Sequence, residues 1–117
     1  MLRVYGLKNC DSCRKALKWL AAENIAHEFV DLRADGVSTD QLKNWISDIG
    51  VEKLVNKSST SWRQLDEADK QDLSPKAVLV LLKTHITLVK RPVFDDGKGF
   101  LAVGFKADTQ ATLKGLS

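Results

Sequence analysis

Apolar and polar positions alternate through Leu2-Arg3-Val4-Tyr5-Gly6, with β-branched and aromatic members, and Gly6 closes the run. That pattern predicts a first strand. From Cys13 the period lengthens, because Ala16, Leu17, Leu20 and Ala21 recur at helical spacing, with Asp11 or Ser12 as candidate N-cap and Asn24 as a stop. Over 25–32 the chain returns to β character through Ile25, Phe29 and Val30. Strand, helix and strand within about 30 residues form a βαβ unit, for which parallel pairing through a right-handed crossover is strongly favoured.

Asp35-Gly36 marks a turn, and Ser38 or Thr39 caps a second helix in which Leu42, Trp45, Ile46 and Ile49 fall at i, i+3, i+4 and i+7. Gly50 stands where a helix commonly ends in a residue of positive φ. The stretch 51–72 is polar, with Leu54, Val55, Trp62 and Leu65 as scattered anchors, and predicts short helices and loop. Ser74-Pro75 is a cap followed by proline at the first helical position, opening a helix to about Lys83 whose body, 77–82, is expected to be buried. Thr87-Leu88-Val89, Arg91-Pro92 and Val93-Phe94 read as a strand interrupted or ended at the proline. Asp96-Gly97 and Gly99 mark a hairpin turn, Phe100-Leu101-Ala102-Val103 its antiparallel second strand, and 107–116 a last helix with Leu113 and Leu116 on one face and Asp108 or Thr109 as cap. The order βαβ, helices, ββα predicts an α/β protein with a mixed four-stranded sheet flanked by helices.

Composition narrows the class. A length of 117 residues fits one domain with one site, and 44% hydrophobic with 28% charged residues excludes disordered and fibrous architectures. The longest apolar run, 77–82, is far short of the roughly 18 to 20 residues a membrane helix needs, so no membrane association is expected. The first residues carry only Arg3 before polar Lys8-Asn9 and do not make a signal peptide, which points to the cytoplasm. A net charge of +3 comes from 18 Lys and Arg interspersed with 15 acids, without the concentrated basic face that nucleic-acid binding uses. Nothing in the pattern demands a partner chain, so a monomer is expected.

The candidate chemistry lies at the first strand-to-helix junction, Cys10-Asp11-Ser12-Cys13. Two cysteines in a chain expected to stay in the cytoplasm point to thiol chemistry. A thiolate at a helix N-terminus is favoured by the dipole and free backbone N–H groups, and Lys8, Arg14 and Lys15 are near in sequence; such thiols often titrate at about 3.5 to 7.5. Cys10 is therefore the expected nucleophile, and Cys13, a turn further on, the candidate resolving thiol. Zinc would need two more ligands, and His27 and His85 are isolated, so no metal is expected. Arg91-Pro92 follows a strand, where a cis bond is possible and Arg91 is either a functional cation or a surface charge. Cys-x-x-Cys, βαβ, helices and then strand-Pro-strand is the order of parts in a thioredoxin-like fold. Trp19, Trp45 and Trp62 read as core or subsite walls, and Asp66, Glu67 and Asp69 as a solvated helix face.

The runs Tyr5-Gly6-Leu7-Lys8-Asn9-Cys10-Asp11-Ser12-Cys13-Arg14-Lys15-Ala16, Asn56-Lys57-Ser58-Ser59-Thr60-Ser61-Trp62-Arg63, Val89-Lys90-Arg91-Pro92-Val93 and Val103-Gly104-Phe105-Lys106 closely resemble the arsenate reductase (ArsC) family, within it the Spx and YffB branch. The resemblance covers nearly the whole chain. It implies a single thioredoxin-like domain with a helical insertion at about 38–83, Cys10 as redox nucleophile, and Arg91-Pro92 as active-site arginine and cis-proline. Arsenate reductases of the family set one cysteine and three arginines around the oxyanion, which neutralises its charge. Cys10 and Arg91 match two of those positions, but Asn56 and Lys106 stand at the others, and neither supplies the planar cationic fork. Cys13 is extra relative to the single-cysteine enzymes. The YffB-like reading follows: a glutathione-dependent thiol-disulfide reductase, with glutathione as co-substrate rather than bound cofactor and a small disulfide or oxyanion as substrate. Lys8, Asn9, Asn56, Lys57, Arg63, Pro92 and Lys106 are the candidate binding residues, although Lys57, Arg63 and Lys106 read equally well as solvated surface charge. The alternatives are an arsenate reductase using glutathione, and an Spx-like redox switch that binds RNA polymerase. Gly50 stands where Spx proteins carry a glycine important for that contact, but the same glycine ends the equivalent helix in arsenate reductases.

Overall fold

The computed structural model describes residues 2–97 and 101–115. The chain forms two compact units: one runs through Gly36 and resumes at Arg91, and the other is the continuous stretch Val37–Lys90.

The first unit holds the sheet. Strand β1 (Leu2–Gly6) leads into helix α1 (Asp11–Ala22), and β2 (His27–Asp31) returns parallel to β1, with Leu2 opposite His27 and Gly6 opposite Asp31. This is the expected βαβ unit. Strand β3 (Val93–Asp95) pairs antiparallel with β1, and β4 (Leu101–Val103) antiparallel with β3, giving the order β2-β1-β3-β4. The fold is the thioredoxin-like mixed four-stranded sheet. Val4, Phe94 and Ala102 are neighbours across three strands and so share a face. Against that face pack Ala16 and Leu20 of α1 and Leu113 of α7 (Ala107–Lys114), with Leu2 and Ile25 completing the cluster. Leu17, Trp19 and Phe105 border it; Trp19 meets Phe105 edge-on at 5.7 Å between ring centroids.

The second unit is helical. Its members are α2 (Thr39–Ile49), α3 (Val51–Leu54), α4 (Thr60–Arg63), α5 (Glu67–Gln71), α6 (Pro75–Thr84) and a 3₁₀ turn at Ile86–Leu88. Ser38 and Ser74 cap α2 and α6 as expected, each hydroxyl accepting an N–H of the first turn, from Gln41 at 3.1 Å and Ala77 at 3.4 Å. Gly50 ends α2 at φ 95°. Trp45, Leu42, Val78 and Leu82 are buried, and α2 packs on α6. Asp66, Glu67 and Asp69 are exposed.

Four expectations need correction, the first being burial of 77–82: Val78, Leu81 and Leu82 are buried, but Val80 is 61% exposed on the outer face of α6. The 87–89 stretch is not a strand: Ile86–Leu88 is a 3₁₀ turn and Val89 makes only an isolated bridge to Val55. The Leu88 carbonyl accepts the Asn56 N–H at 2.8 Å, so this backbone is satisfied by a loop rather than a ladder. Helix α1 starts at Asp11 with Cys10 as N-cap, not Asp11 or Ser12, and α7 is capped by Lys106 rather than Asp108 or Thr109. Both cap residues have the extended backbone an N-cap requires, and the acids fall in the first turn, where the dipole favours them. Gly99, Phe100 and Leu116 lie outside the described residues.

Candidate functional site

The loop leaving β1 closes on itself before α1 begins. The Cys10 N–H donates to the Leu7 carbonyl at 3.2 Å, and the Cys10 carbonyl accepts the Arg14 N–H at 3.0 Å as the first helical bond. Cys10 is thus at the helix mouth with its thiol half-buried, while Cys13, one turn on, is buried with 1% exposure. The thiols are free. Cys13 packs against the end of β1, where a Cβ on Gly6 would lie 2.4 Å from its Sγ and 3.3 Å from its Cβ. Gly6 is there because nothing larger fits.

The two sulfurs are tuned in opposite directions. Burial works against ionisation of Cys10, but the Cys13 backbone amide, the Cys13 thiol and the Arg91 guanidinium outweigh it and hold Cys10 below the ordinary thiol range. Burial pushes Cys13 up to about 12, and proximity to Cys10 adds to the rise. Of the two, Cys10 is therefore the thiol biased toward the anion and Cys13 the one biased toward keeping its hydrogen.

A pocket of ≈ 350 Å³ opens beside Cys10, lined by Leu7, Lys8, Asn9, Cys10, Asp31, Arg33 and Arg91. Arg91 precedes β3 through a cis bond to Pro92, and Pro92 is buried, its carbonyl accepting the Gly104 N–H at 2.9 Å. Of the candidate residues, Cys10, Arg91, Lys8 and Asn9 share this pocket, with Pro92 next to Arg91 and Cys13 behind Cys10. Lys106 is exposed at the start of α7 and is not among the lining residues. Asn56, Lys57 and Arg63 belong to the second unit and form a local cluster: Asn56 Oδ1 accepts the Ser58 N–H at 3.1 Å, Arg63 donates to the Ser58 carbonyl at 3.1 Å, and Lys57 pairs with Glu52 at 3.5 Å and lies 5.8 Å from the Trp62 ring centroid. Ser61 and Thr87 hydroxyls join by a hydrogen bond nearby.

Asp31 and Arg33 were not among the candidates. The signal for them was topological: parallel pairing sets the C-terminal ends of β1 and β2 side by side, and ligand crevices of α/β sheets lie beyond those ends. The Asp31 carboxylate is held below the usual range by hydrogen bonds from the Ala34 and Arg33 amides, with Lys8 and Arg33 adding favourable charge. Among the described residues no group of three or more His, Cys, Asp or Glu comes together to hold a metal, and no helix is long and apolar enough to cross a membrane.

Fold and site define a thioredoxin-like protein with a cysteine pair at the mouth of its first helix. The chain belongs to the ArsC family, whose pattern matches residues 5–113. It is 45% identical over 107 residues to an uncharacterized protein of Haemophilus influenzae, covering 91% of this chain and 94% of that one. A solved structure named as a YffB protein superposes with a TM-score of 0.89 at 34% identity, over 97% of this chain and 98% of the other. A protein of Lactiplantibacillus plantarum named as the global transcriptional regulator Spx is 29% identical, covering 92% of this chain and 82% of its own length.

Proposed function

We propose that the protein is a glutathione-dependent thiol-disulfide reductase of the cytoplasm, with Cys10 as its nucleophile. The observation that carries this reading is the half-buried Cys10 thiol, tuned toward the anion, opening into a pocket shared with Arg91. Cys10 thiolate attacks one sulfur of a disulfide, the sulfur–sulfur bond breaks, and the departing thiolate takes a proton from water. Cys10 is left in a mixed disulfide. Either glutathione or Cys13 then attacks the Cys10 sulfur or its partner; two glutathione thiols together supply the two electrons and leave as glutathione disulfide. Cys13 must first lose its proton, which its burial opposes, so solvent-borne glutathione is the favoured resolving thiol. Arg91 stabilises the negative charge on sulfur before attack and on regeneration.

A small oxyanion such as arsenate is the weaker substrate, because Asn56 and Lys106 replace two of the three arginines that the family resemblance sets around it. The Spx relatives favour a second reading, in which a Cys10–Cys13 disulfide switches a contact with RNA polymerase. The discriminating experiment couples NADPH consumption to glutathione and glutathione reductase, with arsenate and a small mixed disulfide as substrates, on wild type and Cys10→Ser. The expected outcome is disulfide turnover that Cys10→Ser abolishes, with little arsenate turnover. Silence on both substrates, together with capture of polymerase subunits, would replace the reductase by the regulator.

A further inference from the structure

The loop that follows β2 is tied into one shape by its own side chains. Asp31 Oδ1 accepts the Arg33 N–H at 2.8 Å and the Ala34 N–H at 2.9 Å; Asp35 Oδ2 accepts the Asp31 N–H at 3.0 Å, and the Asp31 carbonyl accepts the Asp35 N–H at 2.9 Å. The Leu32 N–H donates to the Gly6 carbonyl at 2.8 Å, anchoring this turn to the end of β1 beside the Cys10 loop. The backbone of Arg33 is therefore fixed at the pocket while its side chain is exposed at the rim.

The charges around that rim do not cancel. Lys8, Arg33 and Arg91 line the pocket against a single carboxylate, Asp31, whose Oδ1 is already engaged by two amides. Asp35, the other acid of the turn, directs Oδ2 to the Asp31 amide. Among the described residues the Lys8 and Arg33 side chains are in no ion pair with an acid. Even with Cys10 ionised, the side chains that line the pocket comprise three cations against one thiolate and one carboxylate.

We propose that Arg33 and Lys8 form a carboxylate-binding subsite at the Cys10 pocket, with Arg33 as its specificity-determining residue and Asp31 as the residue that positions it. The guanidinium fork suits a carboxylate, and Lys8, which lines the same pocket, adds a point charge. As a substrate subsite it presupposes the reductase reading above, and it selects acidic thiols and disulfides over neutral ones. Asp31 acts through the turn and does not touch the ligand.

The test compares the rates at which Cys10 of the intact protein reacts with iodoacetate, which is anionic, and iodoacetamide, which is neutral, the modified peptide being identified by mass spectrometry. Both rates scale with the same thiolate fraction, so their ratio reports the charge of the pocket and not the Cys10 pKa. Arg33→Gln is expected to lower the iodoacetate-to-iodoacetamide ratio by about threefold to tenfold at low salt, as loss of one nearby unit charge predicts, and high salt is expected to shrink the difference. An unchanged ratio would overturn the subsite. In the coupled assay with a glutathione-containing mixed disulfide, Arg33→Gln should raise KM for that disulfide and for glutathione, both of which carry carboxylates. An unchanged KM for both glutathione and the mixed disulfide would also overturn it. A ratio that falls as expected in a protein that does not turn the mixed disulfide over would uphold the anion subsite and sink the reductase reading; Cys10-dependent turnover with an unmoved ratio would do the reverse.

Discussion

Cys10 and Cys13 are the same side chain in one helical turn, yet they titrate in opposite directions because one is at the helix mouth and the other behind it. Cys10 faces the Cys13 amide and the Arg91 guanidinium; Cys13 faces buried apolar surroundings and the Cys10 sulfur. A lowered pKa means thiolate at lower pH, so the pH profile of iodoacetamide modification should show Cys10 reacting with a midpoint below that of an ordinary thiol. Arg91→Ala should move that midpoint upward, because it removes a cation that favours the charged form. Cys13 should stay unmodified in the native protein until strongly alkaline pH, in keeping with a value pushed up to about 12. Early modification of Cys13, or a midpoint that Arg91→Ala leaves in place, would remove this account. The Cys-x-x-Cys pair, Lys8 and Asn9 were legible because they are contiguous, and Arg91 because a proline marks it. Asp31 and Arg33 were not, since their membership of the pocket comes from the register of β2 on β1, and no local spacing encodes a register.

Between elements, the end of β1 packs closely against the first turn of α1. The missing Cβ of Gly6 is the space that Cys13 Sγ fills. Gly6→Ala should cost about 1–3 kcal/mol in urea denaturation, the usual range for overpacking a filled interior. Cys13→Ala in the same chain should recover most of that loss, because it deletes the atom at 2.4 Å and leaves only the milder approach at 3.3 Å. Purely additive effects of the two substitutions would mean that the pair is not in contact. Element legibility follows the same physics. The α2 and α6 boundaries were readable because Ser38, Ser74 and Gly50 each do something only a cap does. The starts of α1 and α7 were not, since Cys10 and Lys106 hold the N-cap backbone without the side-chain oxygen that usually announces it. The 87–89 stretch reads as a strand because Leu88 and Val89 are buried, as strand residues would be, although Leu88 is in a 3₁₀ turn, and β-propensity measures that burial more than backbone preference.

Across the whole molecule the first unit is discontinuous in sequence, and that arrangement sets what the cysteine pair depends on. Its core joins Leu2, Val4, Ala16, Leu20 and Ile25 from the first segment to Phe94 and Leu113 from the last, with 54 residues of the other unit intervening between Gly36 and Arg91. The α/β class, the parallel β1–β2 pair and the antiparallel hairpin were predictable from the succession of elements, whereas the strand order and this dependence of α1 on the far end of the chain were not, because helix periodicity reports that a face is buried and not which element buries it. Leu113 is fully buried on the face of α7 that meets the cluster, and it covers the sheet beside Leu20. Leu113→Ala should therefore cost about 2–5 kcal/mol, the range for truncating a buried leucine. If the core is cooperative, the loss should be felt at the opposite end of the sequence: the denaturant midpoint for exposure of the Cys13 thiol should fall in step with that for loss of helix signal. Cys13 exposed well before the helix signal is lost would show that the first turn of α1 opens locally, and the reactivity of the pair would then be set by α1 alone and not by the closed core it stands on.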